Sequence, residues 1–209
     1  MKNMLKTLCL NLAKVETVKE AIDLLKLAGY WDSENHWHPY GQMPGNASII
    51  NNQANDSVRS KVEKITNSID QILILECIKR GIDPEGPEAP KTTKKALEKF
   101  LNIPNGDISQ LTKSEKTALA LKIKLLRTGT KNKPNFIFID KGTGQSARTM
   151  PKTILSLADE NKRRIPFVQG LYNQGGSATL PYTGLTIIIS KLHPSMISGE
   201  NNIENNYCF

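Results

Sequence analysis

Cysteine is scarce in this 209-residue chain: Cys9, Cys77 and Cys208 are far apart, odd in number and in no Cys-x-x-Cys spacing. Neither a disulfide framework nor a cysteine zinc site is suggested, and a reducing cytoplasm is the expected compartment. Long apolar runs are also missing. The strongest, within Leu185 to Ser190, is far below the roughly 20 residues that a membrane span needs, so no membrane partner is expected. Near the start, Lys2 and Lys6 precede a weak apolar stretch interrupted by Asn11, and no small-residue cleavage site follows. That start reads as mature protein and not as a signal peptide. Histidine is rare as well: His36 and His38 flank Trp37 near Asp32 and Glu34, but this cluster lacks a convincing set of further metal ligands.

Positive charge is what the chain has in excess, and it is local. Between Lys91 and Lys133 there are eleven Lys or Arg against Glu98, Asp107 and Glu115, so this stretch carries the whole formal charge of +8. Such an excess attracts phosphate backbones, which makes nucleic acid a candidate partner of residues 91–133. Only Phe100 is interleaved there as a ring on which a base would stack. A solvated helical face is the plainer explanation.

Hydrophobic spacing organises the rest. Thr17 to Gly29 predicts an amphipathic helix ended by glycine, and a Gly-, Pro- and Asn-rich loop follows from Trp31 to about Asp56. In Ser57 to Gly81 the apolar residues Val58, Val62, Ile65, Ile69 and Ile72 recur at steps of four and three, which predicts a long helix with that stripe as its core face. On nearly the opposite face Glu63, Asn67 and Asp70 form a stripe of carboxylate, amide and carboxylate. Two basic helices are expected over Thr92 to Leu101 and Ser114 to Arg127, the second capped by Ser114. Asn135 to Asp140 reads as a buried strand ending in a carboxylate, and Thr183 to Ser190 as a second strand. A helical stretch from about Met150 to Leu157 lies between them. Helices early and strands late predict an α+β class.

The candidate chemistry lies in Glu63-Lys-Ile-Thr-Asn67-Ser-Ile-Asp70, in Asp140-Lys-Gly142-Thr-Gly144, and in Gly170-Leu-Tyr-Asn-Gln-Gly175-Gly176. Glycine-rich turns let the backbone approach a ligand and present consecutive N–H groups to an anion. Neither loop is a Walker A or GxGxxG motif. A carboxylate four residues from an amide on one helix face is suited to polarising water beside a magnesium ion.

In this order, the three segments resemble the boxes of the GHKL ATPases, the Bergerat-fold superfamily, in the chaperone and mismatch-repair form that reads "NSID". The resemblance covers about Asp56 to Ser190. It implies a two-layer α/β sandwich with a mixed sheet covered on one face by helices, and Mg2+-dependent ATP binding with nucleotide-gated lid closure or dimerisation. By the same resemblance Glu63 is the general base for hydrolysis, Asn67 the magnesium ligand, and Asp140 the acceptor for the adenine amino group. Asp70, Gly142, Gly144, Gly170, Gly175 and Gly176 complete the nucleotide site, with Lys162 beside a phosphate. The expected organisation is an extension over 1–56, the ATP-binding domain over 57–191 with a basic helical insertion at about 82–133, and a polar tail over 192–209. The 73 residues from Asn67 to Asp140 reflect that insertion, and the short end leaves little room for the later strands of the family's sheet; without the second domain that relatives use to bring a cationic residue to the γ-phosphate, hydrolysis by this chain alone is expected to be slow or nil. Two alternatives stand beside this one: a histidine-kinase-like catalytic module, and a basic nucleic-acid-binding module without nucleotide turnover.

Overall fold

The computed structural model describes residues 2–53, 56–155, 164–170, 177, 179–197 and 207–209. Helix α1 (Lys2–Leu12) and helix α2 (Val18–Leu27) come first. Thr17 caps α2 in a reciprocal box with Glu20, and Gly29 at φ +79° ends it as expected. The long loop that follows is not featureless. It carries helix α3 (Asn46–Gln53), and it packs on the later chain where the Tyr40 hydroxyl donates to the Ile154 carbonyl at 3.0 Å. Trp37 Nε1 donates to the Trp31 carbonyl at 2.8 Å, and the two indoles meet edge to face.

Helix α4 (Ser57–Lys79) is capped by Asp56, whose carboxylate accepts from Val58 N–H, and Gly81 at φ +70° ends the turn behind it. Its faces differ from the expectation. Val58 and Val62 of the expected core stripe are 63% and 54% exposed, whereas Ser60, Ser68 and Asp70 on the polar side are buried. The reason is what surrounds the helix. One flank of its C-terminal half packs Leu73, Ile74 and Cys77 against Ala96, Phe100, Phe167 and Val168, and the polar side faces the segments that supply its hydrogen-bond partners. Phe100 and Phe167 meet edge to face, centroids 6.0 Å apart. Burying one such ring stabilises by roughly 1.5–3 kcal/mol, enough to fix the course of residues 165–168.

Helix α5 (Thr93–Leu101) lies where the first basic helix is expected, and Thr92 is its cap. The second basic helix is shorter than expected. The cap of helix α6 (Lys113–Ala120) is Thr112, two residues before the expected Ser114, and Glu115 closes a capping box with it. It stops at Ala120, and residues expected to continue it form strand β1 (Ile123–Gly129). That strand pairs antiparallel with β2 (Pro134–Asp140) along its full length, Ile123 opposite Asp140 and Gly129 opposite Pro134. Ladder pairing with β2 outweighs the helical tendency of Lys122 to Arg127, which a window of local sequence does not register. The expected buried strand β2 is only partly buried, with Phe136 and Ile139 more than 40% exposed. Lys61 of α4 lies over the Phe136 ring, 4.6 Å from its centroid, so α4 covers one face of the hairpin.

The second expected strand is reduced to a two-residue ladder, β3 (Ser190–Lys191) with β4 (Tyr207–Cys208). Its alternation is used differently: Leu185, Ile187 and Ile189 pack with Phe209 against Leu8, Leu12, Ala21 and Leu25 of α1 and α2. The expected helix near Met150 is a single 3-10 turn, Met150–Lys152, because Thr153 at ψ −88° leaves the helical path. The architecture is therefore mixed α and β, with helices and two small antiparallel sheets among the described residues. No helix among them is long and apolar enough to cross a bilayer.

Candidate functional site

One turn of α4, from Asn67 to Gln71, is where the distant segments meet. Asp140 closes β2 beside it. Its Oδ1 accepts from Gly142 N–H at 2.9 Å, and its Oδ2 lies 3.2 Å from Ser68 Oγ, whose proton also serves the Lys64 carbonyl at 3.0 Å. Two donors thus orient the carboxylate while the residue as a whole stays exposed. A carboxylate held this way accepts hydrogen bonds and donates none.

The glycines after Asp140 are there for close approach. A Cβ on Gly142 would sit 2.5 Å from Gln71 Cβ and 2.8 Å from Asp140 Oδ1. Gly144 has φ +67°, and a Cβ there would run into the Lys191 carbonyl. Between them Thr143 is buried, and its hydroxyl donates to Gln71 Oε1. The turn is sewn to the later chain by His193 N–H on the Thr143 carbonyl at 2.9 Å and Gln145 N–H on Ser190 Oγ at 2.7 Å.

The third segment arrives on the other side of the same turn. Asp70 has no exposed surface; its Oδ1 accepts from Gln169 N–H at 3.0 Å and its Oδ2 from Gly170 N–H at 2.9 Å. These residues are 99 and 100 positions apart in sequence. The N–H of Gly170, expected to face a phosphate, is taken up by Asp70, and Asp70 itself is turned inward. It pins the first glycine of the third segment to the helix that carries Glu63 and Asn67. Both of those residues are half-buried on the same helical stripe. Glu63 lies about 10 Å along the axis from Asp70 at 1.5 Å per residue. Among the described residues nothing pairs with the Glu63 carboxylate. Lys162, Gly175 and Gly176 lie outside the described residues.

Sequence reasoning missed a parallel stripe. Lys64, Ser68 and Gln71 fall at i, i+4 and i+7, one residue along from Glu63, Asn67 and Asp70, and two of the three hold the Asp140 to Thr143 turn. The signal was present as polar spacing, but polar residues at that spacing also describe a solvated face. Burial lowers the Lys64 amine from its ordinary 10.5 to about 8. Between those values the unfolded chain binds more protons than the folded one, so this group makes stability rise as pH rises from about 8 toward 10.5. The Cys9, Cys77 and Cys208 thiols and the Tyr40 hydroxyl, all pushed up by burial, act in the opposite direction in this window. The test is therefore the difference between proteins: the pH dependence of the urea midpoint should be more positive in the wild type than in Lys64→Met. Equal pH dependence in the two would remove Lys64 as a cause.

Two shallow surface depressions, along Lys113, Ser114, Thr117, Ala118 and Leu121 and around Arg127 to Lys131, involve none of these residues. No protein-family model, curated protein or solved structure matches the chain.

Proposed function

We propose that the chain is a Mg2+-dependent ATP-binding module of the GHKL type, with ATP seated between α4 and the glycine segments and slow hydrolysis governing loop and dimer rearrangements. The observation that carries this reading is convergence: Asp140 to Thr143 and Gln169 to Gly170, remote in sequence, both bond to the single turn of α4 that holds the Asn67 to Asp70 motif. A solvated helix face has no reason to collect two glycine-bearing segments.

On this reading the exposed Asp140 carboxylate accepts the exocyclic amine of adenine, and Gly142 and Gly144 let the turn behind it pack directly on Gln71 and the Lys191 carbonyl. Asn67 would hold magnesium through its side-chain oxygen; one protein ligand is sufficient because magnesium retains waters and phosphate oxygens as its other ligands. Bound there, the ion would neutralise phosphate charge. Glu63, one helical turn before Asn67 and without a pairing partner among the described residues, takes the proton of the attacking water. The donor set fits this group: one amide, one carboxylate free to act as a base, and an oriented acceptor.

Glu63→Ala should retain ATP binding and lose turnover, by about 100-fold or more for removal of a general base. Single-turnover hydrolysis and equilibrium binding measured on the same preparation separate the two effects. Equal turnover in both proteins would take the general-base role from Glu63.

A further inference from the structure

The positive charge of residues 91–133 is displayed on one continuous surface. On α5, Ala96 and Phe100 face the core, so Lys94, Lys95 and Lys99 project outward over about 8 Å of helix. On α6, Lys113 and Lys116 are exposed. The connector joins the two sets: a Cβ on Gly106 would lie 3.1 Å from Lys94 Cγ, and Lys116 Nζ donates to the Ser109 carbonyl at 3.2 Å. Gly106 and Ser109 are three residues apart, a reach of about 11 Å at most.

Little of this charge is paired with an acid inside the molecule, although Lys99 Nζ donates to the Glu88 carbonyl at 3.4 Å and lies 5.9 Å from the Phe100 ring centroid. Among the described residues only Lys122 of the segment forms an ion pair, with Glu76 at 3.3 Å. Two of the segment's three acids are committed locally. Asp107 accepts from Ser109 N–H at 2.9 Å, and Glu115 closes the α6 capping box on Thr112. Glu98 alone stands among the outward lysines of α5.

We infer that the outer face of α5 and the first turn of α6 dock on the phosphate backbone of a nucleic-acid duplex, without reading its bases. Lysines serve as point charges for phosphate, which suits a regular line of charge. The Phe100 ring is buried, so this face offers no stacking platform for a single strand. It also lacks the exposed aromatic or arginine anchors that dominate protein interfaces. This surface is distinct from the turn of α4 at Asn67 to Gln71 and needs no nucleotide, so the two proposals fail separately.

The test is fluorescence anisotropy of a labelled random-sequence duplex of about 20 base pairs, titrated between roughly 50 and 200 mM salt. Three proteins are compared: wild type, the triple variant Lys94→Gln/Lys95→Gln/Lys99→Gln, and a control of equal charge loss, Lys6→Gln/Lys14→Gln/Lys26→Gln. Each phosphate contact contributes about 0.9 to the slope of log affinity against log salt, so the α5 variant should flatten that slope by about 2 to 3 while the control leaves it unchanged. All six lysines are exposed, and unchanged circular dichroism melts would establish that folding is intact. The inference is overturned by no binding at the lowest salt, by equal flattening in both variants, or by tighter binding of polyglutamate or of single-stranded oligo-dT than of the duplex.

Discussion

Asp140→Ala should weaken ATP binding by about 10- to 100-fold with the fold intact, because a hydrogen bond to a charged group contributes roughly 1.5–3 kcal/mol. The carboxylate is exposed, and its own partners are the Gly142 N–H, which water can replace, and the Ser68 hydroxyl, which keeps the Lys64 carbonyl. Asp140→Asn is the more informative companion. An amide offers both a donor and an acceptor, so the variant should lose discrimination between adenine, which presents an amine there, and guanine, which presents a carbonyl. Competition of ATP and GTP against a fluorescent nucleotide measures both effects. Unchanged affinity and unchanged preference in the two variants would remove Asp140 from the site.

The second large effect is on stability and comes from Asp70. Replacing it by alanine removes the acceptor of the Gln169 and Gly170 N–H groups, of which Gln169 is exposed and Gly170 half-buried. Water reaches the exposed Gln169 amide once the carboxylate is gone, so the loss is that of a hydrogen bond to a charged group, and Asp70→Ala should lose roughly 1.5–3 kcal/mol, a sizeable part of the stability of a domain this size. Asp70→Asn keeps one acceptor but turns an NH2 toward a backbone N–H, and it should also destabilise. Chemical denaturation reads the loss, and hydrogen exchange of residues 165–170 should rise ahead of that of α5. A variant as stable as wild type would mean that the segment from Ile165 to Gly170 is held by its apolar contacts alone.

How much of this was legible beforehand depended on whether the cause was local. The stops at Gly29 and Gly81 rest on neighbours a few residues away, and spacing reveals them, whereas the caps at Thr17, Asp56 and Thr92 emerged with the structure and Thr112 takes the place expected of Ser114. The carboxylate at the end of β2 was equally visible, since an apolar run halting at Asp140 needs no partner to be noticed. Strand β1 was hidden because its pairing with β2 is tertiary, and Lys122 to Arg127 reads equally well as helix. The faces of α4 were hidden for the same reason. Asp70 is buried by two backbone N–H groups about 100 residues further on, whereas Val58 and Val62 are left in solvent despite a helical apolar period. Within the site, the ordered motifs pointed to Glu63, Asn67 and Asp140. The supporting set of Ser68, Gln71 and Thr143 emerged only once the turn after β2 was laid against α4.

The reading implies an order of dependence. Asp70 and the Phe167 core hold Gly170 in place, Ser68 and Gln71 hold the Asp140 turn, and Glu63 and Asn67 lie on the same helix between the phosphate and water sides of the proposed nucleotide. A change in the first two groups should lower stability and binding together. A change at Glu63 should affect turnover alone.

Isothermal titration of ATP into the folded protein, with magnesium and with the ion chelated, tests the central claim most directly. The account predicts saturable binding at one site per chain that weakens markedly when magnesium is removed. A well-folded protein that takes up no heat from ATP in either condition would contradict it.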